Sequence, residues 1–259
     1  MNGRSARRVL AVLDPLFQSS AVQRLVTAAV RQWASSVSRL APQDALRRLL
    51  EVYDNLYGRI DLLAVELDGG IHAKHRLTGY HDFFVDRVQA GETVLDVGCG
   101  KGELAYDLAV RCRARVTGVD RNPAALRFAE ARFRAPDLSF VESDIYDWEP
   151  PHTFDVVVLS NVLEHLSDRV GLLRRLVDAC TPKRVLIRVP SVERDWTVPL
   201  RRQLDMAYFS DPTHETEYTA DQLESELADA GLWIHELEQR WGELWAVAVP
   251  EAPGIVSAS

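Results

Sequence analysis

Apolar residues recur at intervals of three and four through the first third of the chain. Val22, Leu25, Val26, Ala29, Val30 and Trp33 form one such stripe, the spacing of a helix that turns one face away from water. Residues 4–50 read as helical throughout, with Pro15 and Pro42 punctuating the run. A second helical stretch covers about 43–66 and sets Leu46, Leu49, Leu50, Tyr53, Leu56 and Tyr57 on one side. Asp68-Gly69-Gly70 breaks it, and residues 71–90 read as a loop leading into another helix.

From residue 92 the period changes. Short apolar runs at 93–98, 115–120, 138–142, 154–160 and 184–190 read as strands, and 101–112, 123–134 and 167–180 between them as helices. Asn122 is placed to cap, with Pro123 where a missing N–H costs nothing. Thr219 and Gln222 suggest a capping box, and Gly231 ends that helix. Residues 232–240 and 243–249 read as a closing pair of strands. Strands alternating with helices imply an α/β domain with a mostly parallel, doubly wound sheet. The run Phe154–Ser160 is almost unbroken in apolar residues, as in a strand buried on both faces. The expected organisation is an N-terminal helical extension over 1–85, a ligand-binding domain over 86–250 and a loose tail over 251–259.

Composition narrows the function. The net charge is -8, and the first 50 residues carry eight arginines against Asp14 and Asp44 only. The acidic balance argues against a nucleic-acid binder. The basic start resembles a transit peptide in composition, but a solvated helix face is the reading kept. Cys99, Cys112 and Cys180 show no paired spacing, which suits a reducing, cytoplasmic setting. No apolar stretch reaches the ~20 residues of a membrane span.

The chemistry gathers in VLDVGCGKGELA at 94–105. An apolar strand ends in Asp96, and Gly98, Gly100 and Gly102 follow at every second position. Glycines here let the backbone bend sharply or touch a ligand. A dinucleotide loop wants its third glycine where Glu103 stands, and a phosphate-binding Walker loop needs Gly-Lys-Ser/Thr where this chain has Gly100-Lys101-Gly102. The loop therefore suits a ligand without a phosphate chain. Asp120 ends the second strand, where it can accept ribose hydroxyls, and Asp144 follows the third, where it can meet an exocyclic amine.

Four ordered motifs, VLDVGCGKG, VTGVD, VESDIYDW and FDVVVLSNVLEHL, resemble the class I S-adenosylmethionine-dependent methyltransferases over residues 80–250. The resemblance implies a Rossmann-like seven-stranded sheet with an antiparallel last hairpin, and S-adenosylmethionine as cofactor. It implies that Asp96 and the loop of Gly98, Cys99, Gly100 and Gly102 hold the methionine portion. Asp120 with Arg121 would meet the ribose, Asp144 and Ile145 the adenine, and Asn161 the methionine beside the acceptor.

A methyl acceptor with a hydroxyl must lose a proton during attack. His165 in NVLEHL and His214 in DPTHETEYT are the candidate bases, and His72, His75 and His81 cluster before the cofactor domain. Arg76 is a candidate partner for the methionine carboxylate. Glu193 and Asp195 could orient a polyol or stand as loop acids in water, and Trp196 and Tyr218 could stack on a sugar or simply pack. The expected acceptor is a small molecule such as a sugar, polyol or natural-product hydroxyl, a loose likeness to enzymes of bacterial polysaccharide or natural-product clusters.

Three rivals stay open: a metal-assisted RNA 2'-O-methyltransferase, a non-catalytic S-adenosylmethionine-binding module and an NAD-linked oxidoreductase. The first carries E-x-x-E-H, where this chain has Asn161-x-x-Glu164-His165. With His214 these form a poor magnesium set, and the expectation is no metal. The N-terminal stripe is expected to cover the acceptor cleft or to make a homodimer contact.

Overall fold

The computed structural model describes residues 19–250. Among these, one compact unit runs to His72 and a second begins at Ala73. The expected features at 4–18 and the tail at 251–259 lie outside the described residues.

The first unit holds α1 (Ser20–Val37) and α2 (Pro42–Leu67). Ser19 caps α1 by accepting from Val22 N at 3.2 Å. Pro42, expected to punctuate the helical run, starts α2, because proline can begin a helix but not continue one, and α2 matches the stretch expected at about 43–66. Leu25, Val26, Val30 and Trp33 stay exposed on α1, as do Tyr53, Leu56, Tyr57 and Ile60 on α2. The burial expected for that stripe is not made among the described residues.

The second unit opens with short helices α3 (Lys74–Thr78) and α4 (Tyr80–Val85), separated by Gly79 at φ +59°. Seven strands follow: β1 (Thr93–Val97), β2 (Arg115–Asp120), β3 (Leu138–Glu142), β4 (Val156–Ser160), β5 (Arg184–Pro190), β6 (Leu232–Arg240) and β7 (Glu243–Pro250). Their order is β3-β2-β1-β4-β5-β7-β6. The first five are parallel, β7 runs antiparallel to β5, and β6 pairs with β7. Both the mostly parallel sheet and its antiparallel close are as expected. Order reverses between β1 and β4, which opens the crevice where doubly wound sheets bind ligands.

The connecting helices are α5 (Glu103–Arg111), α6 (Pro123–Arg132), α7 (Arg169–Cys180), α8 (Thr197–Gln203) and α9 (Ala220–Asp229). Helix α5 starts two residues later than expected, because Gly102 stands at φ +80° outside helical space. Asn122 caps α6 as expected, and Asp168 caps α7 by accepting from Gly171 N at 3.0 Å. Thr219 accepts from Gln222 N at 3.1 Å, but the Gln222 amide turns to Thr216 and Glu226, so only half of the expected capping box forms. Helix α8 lacks an apolar stripe long enough to announce itself.

Two apolar layers sandwich the sheet. One joins α7 and α9 to β4 and β5 through Leu172, Leu173, Leu223 and Leu227. The other joins α4 and α5 to β1 and β7 through Phe83, Phe84, Leu108 and Trp245. Residues 80–85, expected in the N-terminal extension, thus form part of the cofactor domain's core.

Candidate functional site

The apolar sheet delivers a ring of acids to its carboxyl edge. Asp96, on the last turn of pleat in β1, is buried with 2% exposure. Burial, then the Asp120 and Glu103 carboxylates, push its pKa up to about 8. Asp120 ends β2 with both oxygens engaged: Oδ2 accepts from Gly100 N at 2.8 Å and Oδ1 from Asn122 N at 2.7 Å. Each oxygen keeps a second lone pair, enough for a ribose hydroxyl. Asp120 therefore ties the glycine loop to the end of β2.

The loop needs its glycines. Gly98 sits at φ +66°, and a Cβ there would meet Val162 Cγ2 at 2.7 Å. At Gly102 a Cβ would meet Phe140 Cζ at 2.7 Å and Ala129 Cβ at 2.9 Å. Cys99 is buried beneath the loop, and burial raises its thiol pKa. That suits packing and opposes thiolate chemistry. Arg121 is exposed next to Asp120.

Asp144 follows β3 as a turn residue, its Oδ1 accepting from Tyr146 N at 3.0 Å. The Ile145 carbonyl accepts from Arg175. Asn161 follows β4 in left-handed backbone at φ +56°, its N–H bonded to Arg188 O at 2.8 Å and its buried Oδ1 without a partner. Beyond Val162, the turn Leu163–His165 carries Glu164 and His165. The loop before α9 docks on that turn, with Glu215 N bonded to Glu164 O at 2.7 Å. It brings the His214 ring to 4.6 Å from the His165 ring. Glu164 is fully buried, neither carboxylate oxygen has a partner, and burial pushes its pKa up to about 7.

Several residues singled out in the sequence have structural partners. Tyr218 is fully buried and donates to Glu226 Oε2 at 3.0 Å, so it packs rather than stacking on a sugar. Asp195 starts α8 by accepting from Thr197 N at 2.7 Å. His81 bonds Asp107 at 2.7 Å, and His72 bonds Asp61 at 2.8 Å. Arg76 is exposed on α3. Conversely, sequence reasoning passed over Tyr80 and Arg188. Arg188 is buried, forked onto Glu243 by two 2.7 Å bonds, and lies 3.9 Å over the Tyr80 ring. A lone arginine inside an apolar strand was its only advance signal.

Sheet order and acid-tipped strands match the fold of class I S-adenosylmethionine-dependent methyltransferases. Residues 94–183 match the family model described as a methyltransferase domain. A stretch of 110 residues is 38% identical to trans-aconitate 2-methyltransferase of Escherichia coli strain K12 / DH10B, covering 42% of each protein. The match thus spans less than half of that relative's length. Among solved structures, the S-adenosylmethionine-dependent methyltransferase SibL is 28% identical with TM-score 0.53, covering 70% of this chain and 57% of that one. The O-methyltransferase NcsB1 of neocarzinostatin biosynthesis, in complex with S-adenosyl-L-homocysteine and 1,4-dihydroxy-2-naphthoic acid, is 21% identical with TM-score 0.54, covering 76% and 61%. The class uses S-adenosylmethionine as its cofactor.

Proposed function

We propose that this chain transfers the methyl group of S-adenosylmethionine to a hydroxyl oxygen of a small polar acceptor: a sugar, a polyol or a natural-product hydroxyl. The observation that carries the reading is the grouping of Asp96, Glu103 and Asp120 around the glycine loop. Carboxylates so close together favour a ligand bearing positive charge and oppose a pyrophosphate. A sulfonium with an ammonium tail supplies that charge.

The acceptor side is the cluster of Glu164, His165 and His214. Val162, which packs on Gly98, links it to the cofactor loop. An acceptor hydroxyl gives up its proton, and its oxygen forms a bond to the methyl carbon as the carbon–sulfur bond breaks. The electron pair of that bond returns to sulfur, leaving a methyl ether, S-adenosylhomocysteine and a proton. Alignment of oxygen with the S–CH3 bond supplies much of the rate, and the polar cluster assists the proton's departure. The net charge of -8 weighs against an RNA acceptor. We place the protein in the cytoplasm, where its three buried thiols stay reduced. The exposed stripe of α1 suits a homodimer, which light scattering tests.

The test is transfer of labelled methyl from S-adenosylmethionine to a panel of sugars, polyols, phenols, RNA and trans-aconitate. The expected product carries alkali-stable label on a small hydroxyl compound. Label found only in RNA, or only as an alkali-labile ester, overturns the reading.

A further inference from the structure

We infer that Glu164, His165 and His214 form a binding site for a divalent first-row transition ion. The inference rests on the methyltransferase reading only for its consequence, not for the site itself.

One oxygen of Glu164 and one ring nitrogen from each histidine all lie within 4.8 Å of one another. At metal–ligand bonds of ~2.1 Å, tetrahedral ligands stand about 3.4 Å apart, so the three need to close by little more than 1 Å. The protonation pattern then decides what they can hold. Thr213 Oγ1 donates to Asp211 Oδ1 at 2.6 Å, so it can only accept from His165 Nδ1 at 3.1 Å. Glu217 pairs with Arg194 and accepts from the Ser210 amide and hydroxyl, so it also accepts from His214 Nδ1 at 3.1 Å. Both rings therefore carry their proton on Nδ1 and present the Nε2 lone pair. That is the tautomer of a metal-ligating histidine whose other nitrogen is fixed by an outer partner.

A ring nitrogen of each histidine thus lies within 4.8 Å of an oxygen of Glu164, a fully buried side chain whose oxygens have no hydrogen-bond partner. An ionised carboxylate buried without a hydrogen bond is costly. A cation between it and the two rings removes that cost. The mixed nitrogen and oxygen set suits Zn2+, Co2+ or Mn2+ better than Mg2+ or Ca2+. Three protein ligands leave positions open, and an acceptor oxygen bound there sheds its proton more readily. His165 and His214 would then act as ligands, not as the free bases expected from the sequence.

The test titrates Co2+ and Zn2+ into chelator-treated full-length protein, read by calorimetry and by the visible absorption of bound Co2+. The expected result is one ion per chain, with binding abolished in Glu164→Gln and in His214→Ala. Thr213→Val, which frees the His165 ring, is expected to weaken it about tenfold. S-adenosylhomocysteine titration of the same variants confirms that they are folded. No stoichiometric binding to wild type, or binding that survives both Glu164→Gln and His214→Ala, overturns the site. Cofactor binding without metal binding sinks this inference alone, whereas metal binding without cofactor binding sinks the methyltransferase reading.

Discussion

Asp96 combines a cost to folding with a use in binding, and Asp96→Asn separates the two. The carboxyl is buried at 2% exposure and its pKa lies near 8 against an ordinary value of 3.8. Between pH 4 and pH 8 the folded chain holds a proton that the unfolded chain has released. Stability is therefore full below pH 4 and falls as pH rises through that window. The gap is about 4 pH units at about 1.4 kcal/mol each, a ceiling of about 6 kcal/mol at pH 8. Relaxation and water entry lower this, and about 2–3 kcal/mol is the gain expected for Asp96→Asn at pH 8. It narrows toward pH 4.5, where both proteins carry a neutral group. Urea unfolding of the cofactor-free proteins from pH 4.5 to 8.5 measures it. The same substitution removes the charge that meets the cationic tail, so S-adenosylmethionine affinity falls by about tenfold or more. Equal stability at pH 8, or an unchanged pH slope, refutes the reasoning.

Asp120→Ala frees both the Gly100 and the Asn122 amides and removes the ribose acceptor, so calorimetry should show S-adenosylhomocysteine affinity down by about 100-fold with little loss of stability. Gly102→Ala drives a Cβ into Phe140 and Ala129 at φ +80°, and thermal melts should show a loss of about 2–4 kcal/mol. Glu243→Gln leaves the Arg188 guanidinium buried without its counter-charge, a loss of about 3–5 kcal/mol in urea. Asp155 has its pKa lowered to about 2 by the Thr93 amide and Lys183, so its contribution is full above pH 4 and is lost as pH falls toward 2. Asp155→Asn should flatten acid unfolding there by about 1 kcal/mol, since Lys183 is largely exposed.

The sheet was legible because its strands are buried on both faces and read as unbroken apolar runs, Val156–Leu159 above all. The cofactor loop was legible because glycine spacing and strand-end acids encode a ligand's charge locally. The acceptor side was not. His165 and His214 stand 49 positions apart in sequence, and only the docking of residues 211–217 on the turn after β4 makes them neighbours. Their tautomers depend on Thr213 and Glu217, which no local pattern marks as functional. Tyr218 was open between packing and stacking, because an aromatic near a loop reads alike in both cases, and its burial selects packing. Phe83 and Phe84 belong to the sheet's core although they precede the first strand, since the short helix that carries them packs on the sheet.

The most direct test is calorimetric titration of S-adenosylmethionine and of NAD at pH 7, each in two buffers of different ionisation heat. One S-adenosylmethionine should bind per chain with release of most of one proton, as Asp96 ionises against the incoming cation, while NAD gives no heat. Binding of NAD with none of S-adenosylmethionine, or cofactor binding with no proton released, would contradict a site built from carboxylates to hold a positively charged nucleoside.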